Sequence, residues 1–365
     1  MKSFSEQLLN WYKANARHLP WRETKDPYKI WISEIILQQT RVEQGKNYYL
    51  NFIKLFPTVK HLAKAPSDKV MKAWEGLGYY SRARNLHAAA KTIAEDYKGL
   101  FPEVFEEILS LKGVGNYTAS AIASIAFNQK KAVVDGNVYR VLSRIYGIAD
   151  PIDSFRGKKV FQLLADKLLS QKRPGDYNQA LMEFGATHCT PKKPKCSTCI
   201  FSEDCIAFRE QKVSAYPVKE KKIKINQRHL NYTLFIFKNN ILIRRREDKD
   251  IWKNLYEFFL YSTEADKRIS EEVLSPDSKL FPLFNKIISI DVSETIKHQL
   301  SHQTIFCKIS TIRLKSKPAF KGYKWVQISN LNTYAFPRLL DRFLTREGFL
   351  LPKKSVNLKR KTKIK

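Results

Sequence analysis

The chain has little acid and no long apolar run. Among its 365 residues, 35 Asp and Glu stand against 65 Lys and Arg, a formal charge of +30. Its longest uncharged stretch, Gly113 to Gln129, is 17 residues long and contains Asn, Ser and Thr. A bilayer span needs ~20 mostly apolar residues, so no membrane association is expected. The opening Met1-Lys-Ser-Phe-Ser-Glu6 runs into an amphipathic pattern without the apolar core of a signal peptide, which points to a reduced, cytoplasmic setting. Cysteine is scarce, at five residues, and in such a setting it suggests a metal or cluster rather than disulfides. No internal repeat is present. What the chain does have is 43% apolar residues, enough to bury a core, and length for roughly two domains at ~150 residues each. Its positive excess favours polyanionic partners, with nucleic acid ahead of a membrane surface.

Residues 1–206 read as helical. Phe4, Leu8, Leu9, Trp11 and Tyr12 recur at helical spacing, as do Ile30, Trp31, Ile35 and Ile36, then Phe105, Ile108 and Leu109. Residues 207–228 are lysine-rich without strong periodicity and read as a linker. Residues 229–350 alternate short β-rich runs (Tyr232–Phe237, Ile241–Ile243, Tyr256–Tyr261, Thr304–Leu314), the pattern of an α+β domain. Asn239-Asn240 is expected to turn the first two runs into a hairpin. Residues 351–365 form a basic tail, with seven Lys or Arg and no acid from Lys353 onward.

Three features carry chemistry. Cys189-x6-Cys196-x2-Cys199-x5-Cys205 places four thiols where a zinc ion or a [4Fe-4S] cluster could sit. Lys192, Lys193 and Lys195 in that loop would face a phosphate backbone. Leu111-Lys-Gly-Val-Gly115 joins a helix at Phe105–Ser110 to one starting near Tyr117. This helix–hairpin–helix offers unpaired N–H groups to a phosphate, with Gly113, Val114 and Gly115 at the point of contact. Finally, Glu34 stands alone in an apolar helix, where lost hydration raises a carboxyl pKa toward proton donation. Asp135, in Val133-Val-Asp-Gly-Asn-Val138, opens another helix and could be either a cap or a second carboxylate of a pair.

The helix–hairpin–helix, the Val-Asp-Gly-Asn segment and the four-cysteine loop, in that order along the chain, resemble the endonuclease III superfamily of DNA glycosylases. Leu19-Pro-Trp-Arg22, Trp31-Ile-Ser-Glu34, Leu37-Gln-Gln-Thr40, Gly76-Leu-Gly-Tyr-Tyr80 and Asn178-Gln-Ala-Leu-Met-Glu-Phe-Gly185 narrow the resemblance to the MutY-type adenine DNA glycosylases. The likeness runs from about residue 4 to 205. It continues more loosely in Trp252-Lys-Asn-Leu-Tyr256 and Leu300-Ser-His302. It implies a multidomain protein: an all-α helix–hairpin–helix glycosylase domain with a [4Fe-4S] loop at 189–205, then a Nudix-like α+β domain that recognises 8-oxoguanine. The implied substrate is double-stranded DNA with 8-oxoguanine:adenine or guanine:adenine mispairs, from which a flipped adenine is cut.

By the same resemblance Glu34 protonates adenine N7. Asp135 stabilises the oxocarbenium-like sugar with Asn137 as helper, as the carboxylate pair does in glycoside hydrolysis. Arg17, Leu19, Trp21, Arg22 and Glu183 line the adenine pocket. Gln39 and Tyr79 wedge into the stack beside Thr40, and Ser301 with His302 meets 8-oxoguanine. Tyr117 joins the catalytic set where bifunctional relatives carry a Schiff-base lysine, which implies a monofunctional enzyme. Lys112 and Leu300 depart from the family's usual Pro and Phe. The C-terminal domain lacks the clustered acids of a Nudix box and so should not hydrolyse pyrophosphate. A pyrimidine-lesion glycosylase with lyase activity and a non-catalytic DNA-binding protein are the competing readings. The expected setting is a bacterial cytoplasm, associated with the nucleoid rather than a nucleus, and the expected state is a monomer; nothing points to a particular repair-protein partner.

Overall fold

The computed structural model describes residues 3–220, 225–265 and 281–351; the expected basic tail lies outside them except for Leu351. Contacts divide the chain into two units, Met1–Pro66 with Arg82–Lys222, and Ser67–Ser81 with Ile223–Lys365. The second grouping is not what chain order suggests, because a segment of the N-terminal half packs with the C-terminal residues. The described residues contain no helix long and apolar enough to cross a membrane.

The first unit is helical. Helices Pro27–Leu37 and Asn116–Phe127 are buried at most of their positions, as helices that are apolar all round must be. Helix Pro174–Thr187 crosses the second of these closely. A Cβ on Gly175 would lie 2.5 Å from Ser124 O, and one on Gly185 2.7 Å from Asn137 Cβ at the start of helix Gly136–Tyr146. These two contacts join three helices, and Pro27–Leu37, packed against Asn116–Phe127, makes a fourth beside them. Asn178 locks the segment before Asp135, accepting from Val133 N at 3.1 Å and donating to Ser124 Oγ and Lys131 O. A second cluster around Leu8, Val141, Phe161, Tyr177 and Phe184 holds helix Phe4–Asn15 against this group.

The expected linker at 207–228 is structured over most of its length. Helix Ile206–Arg209 buries Ala207, the Ile152 N–H donates to Val218 O, and the Glu220 N–H donates to Asp153. Local periodicity missed this because these tertiary bonds, not an amphipathic stripe, hold the segment.

Among the described residues the second unit holds an eight-stranded mixed sheet with helices Ser67–Trp74 and Arg338–Arg346. The strands are β1 Asn226–Phe237, β2 Asn240–Arg245, β3 Tyr256–Glu257, β4 Phe259–Ser262, β5 Ile287–Val292, β6 Ile296–Gln299, β7 Gln303–Leu314 and β8 Lys324–Gln327. β1 and β7 run parallel from Asn226↔Gln303 to Ile236↔Arg313 at the centre of the order β3-β2-β1-β7-β5. The β1–β2 hairpin turns at Lys238-Asn239, and its left-handed residue is Lys238 (φ 47°) rather than an asparagine.

Candidate active site

A cleft of about 530 Å³ opens where the four helices meet. It is lined by Arg17, Leu19, Trp21, Arg22, Glu34, Gln39, Thr40, Tyr117, Asp135, Asn137 and Glu183. Eleven of the residues singled out in the sequence therefore share one cavity within the first unit. Gln38, Gln179 and Met182 also line it. All three stand inside the quoted motifs Leu37–Thr40 and Asn178–Gly185, but sequence reasoning gave them no role.

Glu34 is 7% exposed. Burial pushes its carboxyl up to about 7, with the Asp135 charge adding to the rise, while a hydrogen bond from Tyr117 and the Arg22 charge pull it down. That bond runs from Tyr117 Oη to Glu34 Oε2 at 2.8 Å. Burial and the facing carboxylates hold the Tyr117 hydroxyl far above its ordinary pKa, so it acts as a donor. Glu34 is thus a carboxyl that keeps its proton well above the ordinary carboxylate range and is oriented by a neutral phenol.

Asp135 caps helix Gly136–Tyr146, accepting at Oδ1 from Asn137 N and Val138 N, both at 2.8 Å. Its Oδ2 accepts from Asn137 Nδ2 at 2.7 Å. Desolvation raises its pKa, and these three donors oppose the rise by favouring the anion. The cap reading and the second-carboxylate reading are therefore both compatible with one geometry. Behind it, Arg140 Nη2 donates to Asn137 Oδ1 at 2.8 Å, and Arg140 Nε donates to Cys189 O at 2.8 Å. A continuous chain of hydrogen bonds joins Asp135 to the cysteine loop.

Glu183 takes three charge-assisted bonds, from Arg17 Nε at 2.6 Å, Arg17 Nη2 at 2.7 Å and Arg22 Nη2 at 2.8 Å. Burial alone would raise this carboxyl, but the two guanidinium groups outweigh it and hold Glu183 down at about 2. The cleft so contains a proton donor and a fixed anion that two cations match.

Gly113 adopts φ +82°, and a Cβ there would lie 2.6 Å from Asn85 Cβ, so the hairpin requires glycine at that position. A Cβ on Gly115 would meet nothing within 4 Å, and no side chain caps helix Asn116–Phe127. This helix start is open to an anion. Val114 is buried and anchors the turn, its N–H donating to Leu111 O at 3.0 Å.

Cys189, Cys196, Cys199 and Cys205 line one small cavity with Arg144 and His188. Among the described residues no three such ligands close on a single ion. Four thiols spread around a shared space fit a cluster better than one zinc. Arg144 Nη1 donates to Cys189 Sγ at 3.4 Å and Phe201 N to Cys199 Sγ at 3.4 Å, donors suited to thiolates. Cys307 is buried in β7, apart from this group in the chain.

Tyr79, Ser301 and His302 lie in the second unit, outside the cleft. Ser301 and His302 form the tip of the β6–β7 hairpin, closed by Leu300 N to Gln303 O at 2.8 Å. Tyr79 Oη and Ser301 Oγ are 2.6 Å apart and share a hydrogen bond. Tyr79 (φ 46°) and Gln39 (φ 54°) are both left-handed, a conformation non-glycine residues adopt only where their surroundings impose it.

Comparison with known proteins places this geometry among DNA repair enzymes. The HhH-GPD superfamily of base excision DNA repair proteins matches residues 32–164, the iron–sulfur binding domain of endonuclease III matches 189–205, and the NUDIX domain matches 231–346. An adenine DNA glycosylase of Buchnera aphidicola subsp. Schizaphis graminum is 33% identical over 348 residues, covering 93% of this chain and 97% of that one. A human adenine DNA glycosylase is 45% identical over 215 residues, covering 56% of this chain and 39% of its own. A solved thermostable thymine-DNA glycosylase superposes with a TM-score of 0.53 at 34% identity, over 57% of this chain and 95% of that one.

Proposed function

The chain belongs to the MutY-type adenine DNA glycosylases, base excision repair hydrolases of the N-glycosidic bond, and from that membership we propose that it removes adenine paired with 8-oxoguanine or guanine. The observation that carries the reading is the buried Glu34 carboxyl, held near neutrality in the same cleft as Asp135. Its loop Cys189–Cys205 binds a [4Fe-4S] cluster, which ties down the loop that Arg140 and Arg144 grip and contributes no group to bond breaking.

Adenine leaves the duplex stack to enter the cleft. Glu34 gives its proton to N7, which turns adenine into a neutral leaving group and leaves the carboxylate behind. The C1′–N9 bond then breaks with its electron pair on the base, and positive charge develops on the sugar. Asp135, whose anionic form the Asn137 and Val138 donors favour, stabilises that charge until water adds at C1′ and gives up a proton to the Glu34 carboxylate. Tyr117 has no amine to form a Schiff base, so the product is an abasic site rather than a cut strand. The hairpin at Gly113–Gly115 holds the backbone without reading sequence, and the β6–β7 tip with Tyr79 meets the opposite base.

Duplexes containing 8-oxoguanine:adenine, guanine:adenine or thymine glycol, treated with enzyme and then alkali, test the reading. Cleavage at adenine only, and only after alkali, is expected. Strand cutting at thymine glycol without alkali would replace it with a lyase, and tight binding without product would replace it with a non-catalytic binder.

A further inference from the structure

Glu75 follows helix Ser67–Trp74, is 5% exposed, and takes no part in the cleft. Its Oε1 accepts from Phe336 N at 2.8 Å, and its Oε2 pairs with Lys72 Nζ at 2.8 Å. Lys72 Nζ donates in turn to Tyr334 O at 2.8 Å. At the other end of the same helix Tyr256 Oη donates to Asp68 Oδ2 at 2.8 Å. Tyr256 lies in β3 and its N–H donates to Ala335 O, so these anchors belong to one rigid piece of the second unit.

The turn Gly76–Tyr80 begins immediately after Glu75. Gly76, Gly78 and Tyr79 have φ of 95°, 75° and 46°. Trp74 Nε1 donates to Gly78 O and Gly76 N to Tyr80 Oη, which braces the turn from within. The turn is therefore held at its start by Glu75 on Phe336 and at Tyr79 by Ser301. A buried carboxylate is costly unless it is paired. An apolar residue would fill this space, but it would leave the Phe336 N–H without its acceptor and the start of the turn untied.

We propose that Glu75 is a positioning residue for mispair discrimination: by tying the Gly76–Tyr80 turn to the Phe336 backbone, it presets Tyr79 and Ser301 as one reading pair for the base opposite adenine. The proposal rests on the reading of 8-oxoguanine:adenine as substrate. It assigns Glu75 no part in excision itself, so adenine opposite guanine is cut as before when Glu75 is changed.

The test uses the full chain with Glu75→Ala and Glu75→Gln, in single-turnover excision on 8-oxoguanine:adenine and guanine:adenine duplexes, alongside hydrogen exchange over residues 76–81. Glu75→Ala should lower the preference for 8-oxoguanine by at least ~5-fold, about the worth of one hydrogen bond. It should also speed exchange at 76–81. Glu75→Gln keeps a carbonyl acceptor for the Phe336 N–H and should restore most of the preference. An unchanged ratio, or an equal loss on both substrates, overturns the proposal. If Glu75→Ala does not fold, Glu75→Asp, whose shorter side chain withdraws the carboxylate from the Phe336 N–H, carries the same expectations. A wild type without any 8-oxoguanine preference would sink the substrate reading instead. In that case unchanged exchange at 76–81 in Glu75→Ala would still overturn the positioning role.

Discussion

The Tyr117 hydroxyl donates to the Glu34 carboxylate at 2.8 Å, joining two residues 83 positions apart in the chain. The bond lowers a pKa that burial has raised to about 7. Replacing Tyr117 by Phe removes a donor to the charged form, so the Glu34 pKa rises further. The single-turnover rate, which falls as Glu34 loses its proton, should keep its acid plateau. Its alkaline limb should move upward by roughly half a pH unit, as one hydrogen bond permits. A pH–rate profile for the Phe variant checks the direction.

Glu34 also costs stability. Its folded pKa of about 7 lies above the ordinary 4.5, so its contribution is fully present below pH 4.5 and is lost as pH rises through 7. At ~1.4 kcal/mol per unit this amounts to about 3 kcal/mol above pH 7. Glu34→Gln cannot titrate. Denaturant melts of the two proteins should therefore show the variant gaining on wild type by about that much between pH 5 and pH 8.

Glu183 has the opposite sign. Held at about 2 by Arg17 and Arg22, it contributes stability above pH 4.5 that is lost as pH falls through 2. Glu183→Ala leaves two guanidinium groups without their anion and should cost about 3 kcal/mol at pH 7, the low end for a broken buried pair because Arg17 is partly exposed. The gap to wild type should narrow by about half between pH 7 and pH 3, which urea melts at the two values would measure.

The cysteine loop predicts equal amounts of iron and acid-labile sulfide in the purified protein. Cys199→Ser should lose both and yield protein that is poorly soluble or binds DNA weakly, since the loop that Arg140 and Arg144 grip would open. Metal analysis finding one zinc and no sulfide would overturn this assignment.

Much of the site was legible because its residues sit in short motifs whose chemistry is local. A carboxyl in an apolar helix, a Gly-Val-Gly hairpin and four spaced thiols each announce themselves. The pairing of Glu183 with Arg17 and Arg22 joins positions more than 160 apart and became explicit only in three dimensions. The same holds for the assignment of Ser67–Ser81 to the second unit, which follows from long-range packing, with bonds such as Glu75 to Phe336, and not from any pattern along the chain. The short strands β5, β6 and β8 also escaped the reading. β5 and β6 pair with β7 and β8 with β2, and the burial of alternate side chains in them is too weak to show in sequence.

The central claim is that Glu34 delivers the proton that releases adenine. Single-turnover excision from an 8-oxoguanine:adenine duplex, measured for wild type and Glu34→Gln with duplex affinity determined in parallel, tests it most directly. The amide has the carboxyl's shape but no acidic proton, so the rate should fall by at least ~100-fold while affinity stays within a few-fold. Excision by Glu34→Gln at the wild-type rate would contradict the account.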